Sequence, residues 1–209
     1  MKFLSVVVRR GPKTTLVLSD SMMRGVCVGN NAEVDVVARG GAVVRGMMES
    51  IRNNAIWIGQ RNVKVGEYRF IVVHVGTNDV ADGRSVGAVT DDFKALLEVI
   101  RRHNRDAVLL VSAVLYRPKD DNRTYQRVNA YNAAFKRVSD HFHTVLFLRT
   151  QTLFKSGSLL LSQLYDVRGL HLNREGIDRL GKYLRARLTR GTLLRDFELA
   201  KRPFPGILR

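Results

Sequence analysis

The chain has little of what staples, breaks or anchors a polypeptide. Its 209 residues include one cysteine, Cys27, and four prolines. A lone cysteine excludes a disulfide framework and any cysteine-rich zinc site, and it fits a reducing, intracellular compartment. So few prolines exclude collagen-like and low-complexity character. Apolar runs such as Phe70 to Val75, interrupted by His74, are far too short to cross a bilayer. The apolar stretch Met1 to Val8 ends in Arg9-Arg10 without a cleavage site, so it does not read as a signal peptide. These absences predict a soluble, cytoplasmic protein, with nuclear or ribonucleoprotein association left open. With no linker or repeat in view, residues 1–209 are expected to form one domain, ending in a basic helix (about 173–190) and a short extension, 192–209.

Negative charge is also scarce. Lys and Arg number 35 against 19 Asp and Glu, a formal net charge of +16. Residues 1–100 carry 13 basic and 10 acidic groups, whereas residues 101–209 carry 22 and 9. An excess placed in the second half points to a polyanionic partner: RNA or another nucleic acid first, an anionic membrane surface second.

What is present is apolar sequence with two alternating textures. Hydrophobic residues make up 45% of the chain, enough to exclude disorder and to build a sizeable core. Thr15–Leu18, Val34–Ala38, Phe70–Val75, Ala107–Ala113 and Thr144–Leu148 are short, nearly unalternated apolar runs, as strands covered on both faces read. Between them Val89, Phe93, Leu96, Leu97 and Ile100 recur with helical period, as do Val128, Tyr131, Phe135 and Val138. Val43 to Arg52 is a shorter helix candidate. Ile177, Leu180, Leu184 and Leu188 mark a last helix, with Asn173 as N-cap and Gly191 as its stop. Strands alternating with helices predict an α/β fold, a mostly parallel sheet with helices on both faces.

In such sheets ligands gather beyond the C-terminal strand ends. Three polar turns fall there: Ser19-Asp20-Ser21, Arg39-Gly40-Gly41 and Gly76-Thr77-Asn78-Asp79. A fourth polar cluster, Asp166 to Asn173, precedes the last helix. Together they offer a hydroxyl, backbone amides, a carboxamide and an imidazole, which is what acyl transfer needs. Each has a plainer alternative. Ser21 also reads as a helix cap, Gly40 and Gly41 as turn residues, Asn78 as a turn residue and His171 as a structural histidine. Their joint occurrence at successive strand ends favours the chemical reading.

In that combination the chain resembles the SGNH, or GDSL, hydrolases over about residues 14 to 190. That superfamily is named for a Ser after the first strand, a Gly after the second, an Asn in a Gly-x-Asn-Asp-like turn and a late His. The matching positions are Ser21, Gly40 or Gly41, Asn78 and His171. The resemblance implies a flavodoxin-like, three-layer α/β/α sandwich with a parallel sheet of about five strands. It also implies a serine esterase acting on a small acyl ester without a cofactor or metal. Ser21 would be the nucleophile and His171 the base, with an oxyanion held by Ser21, Gly40 or Gly41, and Asn78. Two positions depart from the pattern. Ser19 stands where the family has Gly. Arg168 stands three residues before His171, where the family has the Asp that orients the imidazole; Asp166, five residues before, is the substitute if the loop bulges.

The blocks Ser-Asp-Ser-Met-Met-Arg-Gly and Val-His-Val-Gly-Thr-Asn-Asp-Val are similar to those of esterase-like domains in animal LINE-type retroelements. The basic surface is similar to the OSK domain of Oskar, an SGNH-like fold that binds RNA without hydrolysis. A catalytically inactive RNA-binding module is therefore the alternative. The residues expected to meet nucleic acid are Arg174, Arg179, Lys182, Arg185, Arg187 and Arg190 on the last helix, with Arg101, Arg102 and Arg105. They predict backbone contacts with strong salt dependence. His141 and His143 are expected to share one side of a strand without a Cys or Glu to complete a metal site. No Gly-x-Gly-x-x-Gly or P-loop follows the first strand, which argues against dinucleotide or triphosphate binding.

Overall fold

The computed structural model describes residues 14–28 and 33–188. Met1 to Val8, Arg190, Gly191 and the extension 192–209 lie outside the described residues. The central sheet contains β1 (Thr15–Asp20), β2 (Val34–Arg39), β5 (Phe70–His74), β6 (Val108–Ser112) and β7 (Val145–Leu148), in the order β2-β1-β5-β6-β7. Every pairing in it is parallel. The five apolar runs of the sequence are these five strands, and the first continues past its apolar part to Asp20. Two antiparallel hairpins, β3 (Trp57–Ile58) with β4 (Arg61–Asn62) and β8 (Lys155–Ser156) with β9 (Leu159–Leu160), stand apart from the sheet. With two residues per strand they carry no periodicity to read.

Helices cover both faces. α1 (Val44–Arg52), α3 (Val86–His103) and α4 (Asn122–Asp140) bury their apolar stripes against one side. There the Phe93 and Phe135 rings stack with centroids 4.0 Å apart. On the other side, α5 (Arg174–Leu188) and three 3-10 turns pack with Val17, Val72 and Leu110 into a second core. Successive side chains of one strand feed the two cores, Leu16 and Leu18 one way and Val17 the other. Asn173 caps α5 as expected, its Oδ1 accepting from the Gly176 amide at 3.0 Å. α5 approaches closely because Gly181 has no side chain: a Cβ there would fall 2.5 Å from the Cys27 carbonyl oxygen. This is the parallel sheet with helices on both faces that the strand and helix pattern predicts, and the three-layer α/β/α sandwich that the resemblance implies.

Two local expectations change. The turn read at Gly76–Asp79 is the start of a short helix, α2 (Thr77–Ala81), behind Gly76 at φ +120°. His141 and His143 do not lie on a strand. His141 caps the C-terminus of α4, its Nδ1 2.6 Å from the Arg137 carbonyl oxygen, and β7 begins only at Val145. The strand expected from Thr144 is thus too short to include either histidine.

Candidate active site

Strand order reverses between β1 and β5: the chain leaves β1 for β2 on one side and returns to β5 on the other. The loops after these strands therefore diverge and leave a crevice at their C-terminal ends. Ser21 follows β1, and Asn78 sits in the first turn of the helix after β5.

Ser21 opens a 3-10 turn, Ser21–Met23, that is held by its neighbour. Asp20 is fully buried, and its Oδ1 accepts the Met22 amide at 2.9 Å. Met22 and Met23 sink into the core, so the turn has an anchor on either side of the hydroxyl. Ser21 Oγ lies 3.0 Å from His171 Nε2, across 150 residues of sequence.

His171 is presented by a tight loop. Tyr165 and Leu172 form an isolated antiparallel bridge, and the Asp166 amide donates to the His171 carbonyl at 2.8 Å. Inside that loop Asp166 Oδ1 accepts the Leu170 amide at 2.9 Å and the His171 amide at 3.4 Å. Its other oxygen, Oδ2, faces His171 Nδ1 at 3.6 Å. The Leu170 amide, then the His171 amide and the Arg168 charge, hold the Asp166 carboxyl below the usual carboxylate range, so it stays anionic. Arg168 points outward, 70% exposed, and pairs with Asp166 Oδ2 at 3.5 Å. The loop thus bulges, placing the residue five before the histidine, not three before, behind the imidazole.

Gly40 and Gly41 follow β2, with Gly41 at φ +71°, a conformation that glycine adopts without strain. The next residues are gripped from α2. Asn78 Nδ2 donates to the Ala42 carbonyl at 2.8 Å, and Asp79 Oδ2 accepts the Val44 amide at 3.0 Å. Asp79 is fully buried, and its Oδ1 takes Arg84 at 2.7 Å. Arg84 in turn bridges to Asp92 at 2.7 Å. Asp79 was visible in sequence only as the end of a turn; its work is to fix the glycine loop beside the serine. One Asn78 amide hydrogen serves Ala42, which leaves the second available for a substrate oxygen.

A polar chain that sequence reasoning missed runs beneath the site. His74 and Ser112 are buried, and their side chains meet at 3.0 Å. Ser112 Oγ lies 2.8 Å from Thr150 Oγ1, which donates to the Ala113 carbonyl at 3.1 Å. Each hydroxyl has one proton. Thr150 spends its own on Ala113, so Ser112 donates to Thr150, and His74 Nδ1 must be the protonated nitrogen. Its Nε2 then faces Asp20 Oδ1 at 3.9 Å.

Burial lowers the His74 pKa below its ordinary value, against an upward pull from Asp20. A histidine kept neutral in the fold but free to charge when unfolded favours folding fully above about pH 6.5, and this contribution is lost as pH falls below it. Urea unfolding between pH 7.5 and 5.5 is expected to lose up to about 1.4 kcal/mol per pH unit below 6.5. His74→Asn should flatten that slope; an unchanged slope would place the titration elsewhere.

The described basic residues singled out in the sequence fall on two layers of the fold. Arg101 is consumed within the fold, donating to the carbonyls of Arg105, Ala107 and Thr144. Those bonds hold its guanidinium against the backbone at the end of α3. Arg102 and Arg105 are exposed at the end of α3, on the layer opposite α5. On α5, Lys182 pairs with Asp178 at 2.7 Å, and Arg179 lies 4.0 Å from Glu175 while donating to the Leu153 carbonyl. Arg187 lies over the Tyr183 ring, and Arg185 reaches the Cys27 carbonyl at 3.4 Å. Arg174 is exposed at the helix start. Among the described residues no helix is long and apolar enough to cross a membrane, and no cluster of three His, Cys, Asp or Glu side chains is placed to hold a metal ion.

Residues 19–179 match the model of the GDSL-like Lipase/Acylhydrolase family, from just before Ser21 to just past His171. The chain belongs to that family. Solved structures agree in fold. A Streptococcus pneumonia protein named for platelet activating factor superposes with a TM-score of 0.71 at 18% identity, covering 87% of this chain and 86% of its own. A member of the lipolytic protein G-D-S-L family from Veillonella parvula gives 0.64 at 20% identity, covering 85% and 98%. A GDSL-like lipase from Bacteroides thetaiotaomicron gives 0.65 at 14% identity, covering 90% and 89%. At such identities the likeness is one of fold. No curated protein matches the chain. Within a GDSL-like chain, Ser19 in the glycine position is accommodated simply: it is fully buried and its Oγ donates to the Asp20 carbonyl at 2.9 Å.

Proposed function

We propose that the chain is a serine carboxylester hydrolase, with Ser21 as nucleophile, His171 as general base and acid, and Asp166 as the orienting carboxylate. The 3.0 Å approach of Ser21 Oγ to His171 Nε2 carries this reading. Ser21 Oγ attacks the ester carbonyl carbon while its proton passes to His171 Nε2. The oxyanion meets backbone amides of Ser21 and of Gly40 or Gly41, with the free Asn78 amide hydrogen. Each such donor contributes about 3–4 kcal/mol at the transition state in comparable sites. Collapse breaks the carbon–oxygen bond, and His171 returns the proton to the departing alcohol. A water then repeats the sequence on the acyl-enzyme and releases the acid. A fluorophosphonate probe should label the intact protein at Ser21, and p-nitrophenyl acetate should be hydrolysed. Failure of both would overturn the reading.

A second reading, RNA binding, is favoured by one observation. α5 exposes Arg174, Arg179, Lys182 and Arg185, with only Glu175 and Asp178 to offset them. A single-stranded RNA titrated between 50 and 200 mM salt should lose affinity steeply. Replacing Arg174 and Arg185 by alanine should reduce the log–log slope by about one unit per residue. No association at the lowest salt would remove this reading.

A further inference from the structure

The charges on the loops around Ser21 do not cancel. Asp20 and Asp79 are fully buried, and Asp79 is matched by Arg84. Asp166 is shared between His171 and Arg168. Arg39 is tied to Ser50 Oγ at 3.1 Å and to the Ala55 carbonyl at 2.9 Å. That leaves Arg24. It is exposed, and its guanidinium makes no hydrogen bond or ion pair with any of the described residues.

The turn that presents Ser21 also places Arg24. The Arg24 amide donates to the Ser21 carbonyl at 3.2 Å and closes the 3-10 turn. Its side chain then reaches over to the loop after β2, where Nη2 lies 3.4 Å from the position of a Cβ on Gly40. A carbon–carbon bond adds about 1.5 Å, so Nη2 stands within about 5 Å of the Gly40 Cα. Asp20 pairs with Arg39 in the parallel register, so Ser21 and Gly40 are the next residues along strands about 4.8 Å apart. The guanidinium is therefore within about 10 Å of the Ser21 backbone, beside a glycine of the proposed oxyanion loop. A planar fork of N–H donors in that place matches a carboxylate or a phosphate.

We propose that Arg24 is a specificity-determining residue that holds a carboxylate or phosphate carried by the substrate, and that the substrates are anionic esters. The span to Ser21, less one charge-assisted hydrogen bond, puts that charge within about six bonds of the reacting carbonyl. The proposal rests on the hydrolase reading above and supplies its substrate class.

The test has a kinetic arm and a binding arm. Mono-p-nitrophenyl adipate carries a carboxylate within that reach, and p-nitrophenyl methyl adipate is its neutral counterpart. At low salt kcat/KM for the anionic ester should exceed that for the neutral one by about tenfold, mainly through KM, and the ratio should fall toward one at about 0.5 M NaCl. Arg24→Glu should invert the ratio, and Arg24→Lys should restore most of it; a purely structural role would move both esters alike. Hydrolysis without the preference, or with the same preference in Arg24→Glu, would overturn the proposal and leave the hydrolase reading standing. For the binding arm, monomethyl adipate should bind the full chain about tenfold more tightly than dimethyl adipate by calorimetry, and Arg24→Glu should abolish the difference. That result in a protein that turns over no ester would sustain the anion site and discard the hydrolase reading. Competition by acetate and by methyl phosphate at matched ionic strength then tells the two anions apart, the stronger competitor naming the group.

Discussion

Ser21→Ala should lower kcat/KM for p-nitrophenyl esters by about 10⁴- to 10⁶-fold, the range seen when the nucleophile of a serine triad is removed. The remaining rate would come from the oxyanion donors, which the substitution leaves in place. Stability should change little, by about 1 kcal/mol or less, because the hydroxyl is only part-buried and contributes one hydrogen bond to His171. The turn keeps its cap, since the Met22 amide is held by the Asp20 side chain and not by Ser21. His171→Ala should cost a similar factor, and the double variant no more than either single one, because the two groups act on one proton. If the two losses multiplied, Ser21 and His171 would be acting separately, and the 3.0 Å contact would have no catalytic meaning. Turnover that survives Ser21→Ala would remove the serine mechanism altogether.

The fold was legible because the strands of the sheet have helices or turns packed on both faces and so read as nearly unalternated apolar runs, broken only at single positions such as Asp35 and His74. Helix faces were legible for the complementary reason: α3 and α4 each bury one stripe, and the 3.6-residue period survives in Val89, Phe93, Leu96 and Ile100. The site was legible in outline, because its candidates follow strand ends and strand ends carry the chemistry of this architecture. What stayed hidden depends on distances between loops. Nothing local shows that Asp79 reaches Val44, or that His74 lies against Asp20, for these contacts span 35 and 54 residues and arise only when the sheet assembles. The dispersal of the basic residues was hidden for the same reason. Arg101 looks like a surface cation in a basic run, yet the end of α3 turns its guanidinium onto three carbonyls.

The loop before α5 is where sequence spacing and geometry part, and it supplies the second large expected effect. By spacing, Arg168 occupies the place of the orienting carboxylate; by geometry, Asp166 does. Asp166→Asn should lower kcat for ester hydrolysis by about 10²-fold or more. The figure sits toward the mild end of the ~10⁴-fold known for a buried triad aspartate, because the Asp166 side chain is 25% exposed and its Oδ2 stands 3.6 Å from the ring. The Asn side chain can still accept the Leu170 amide and preserve the loop, so the loss reports on the charge and orientation behind His171 and not on folding. Arg168→Ala should move activity the other way, upward by about two- to threefold, since Arg168 competes for the same Asp166 oxygen from an exposed position where ion pairs are weak. The two substitutions therefore have opposite signs if Asp166 orients the imidazole. A fall on removing Arg168, with Asp166→Asn silent, would reverse the assignment and leave Ser21 and His171 as an unassisted dyad.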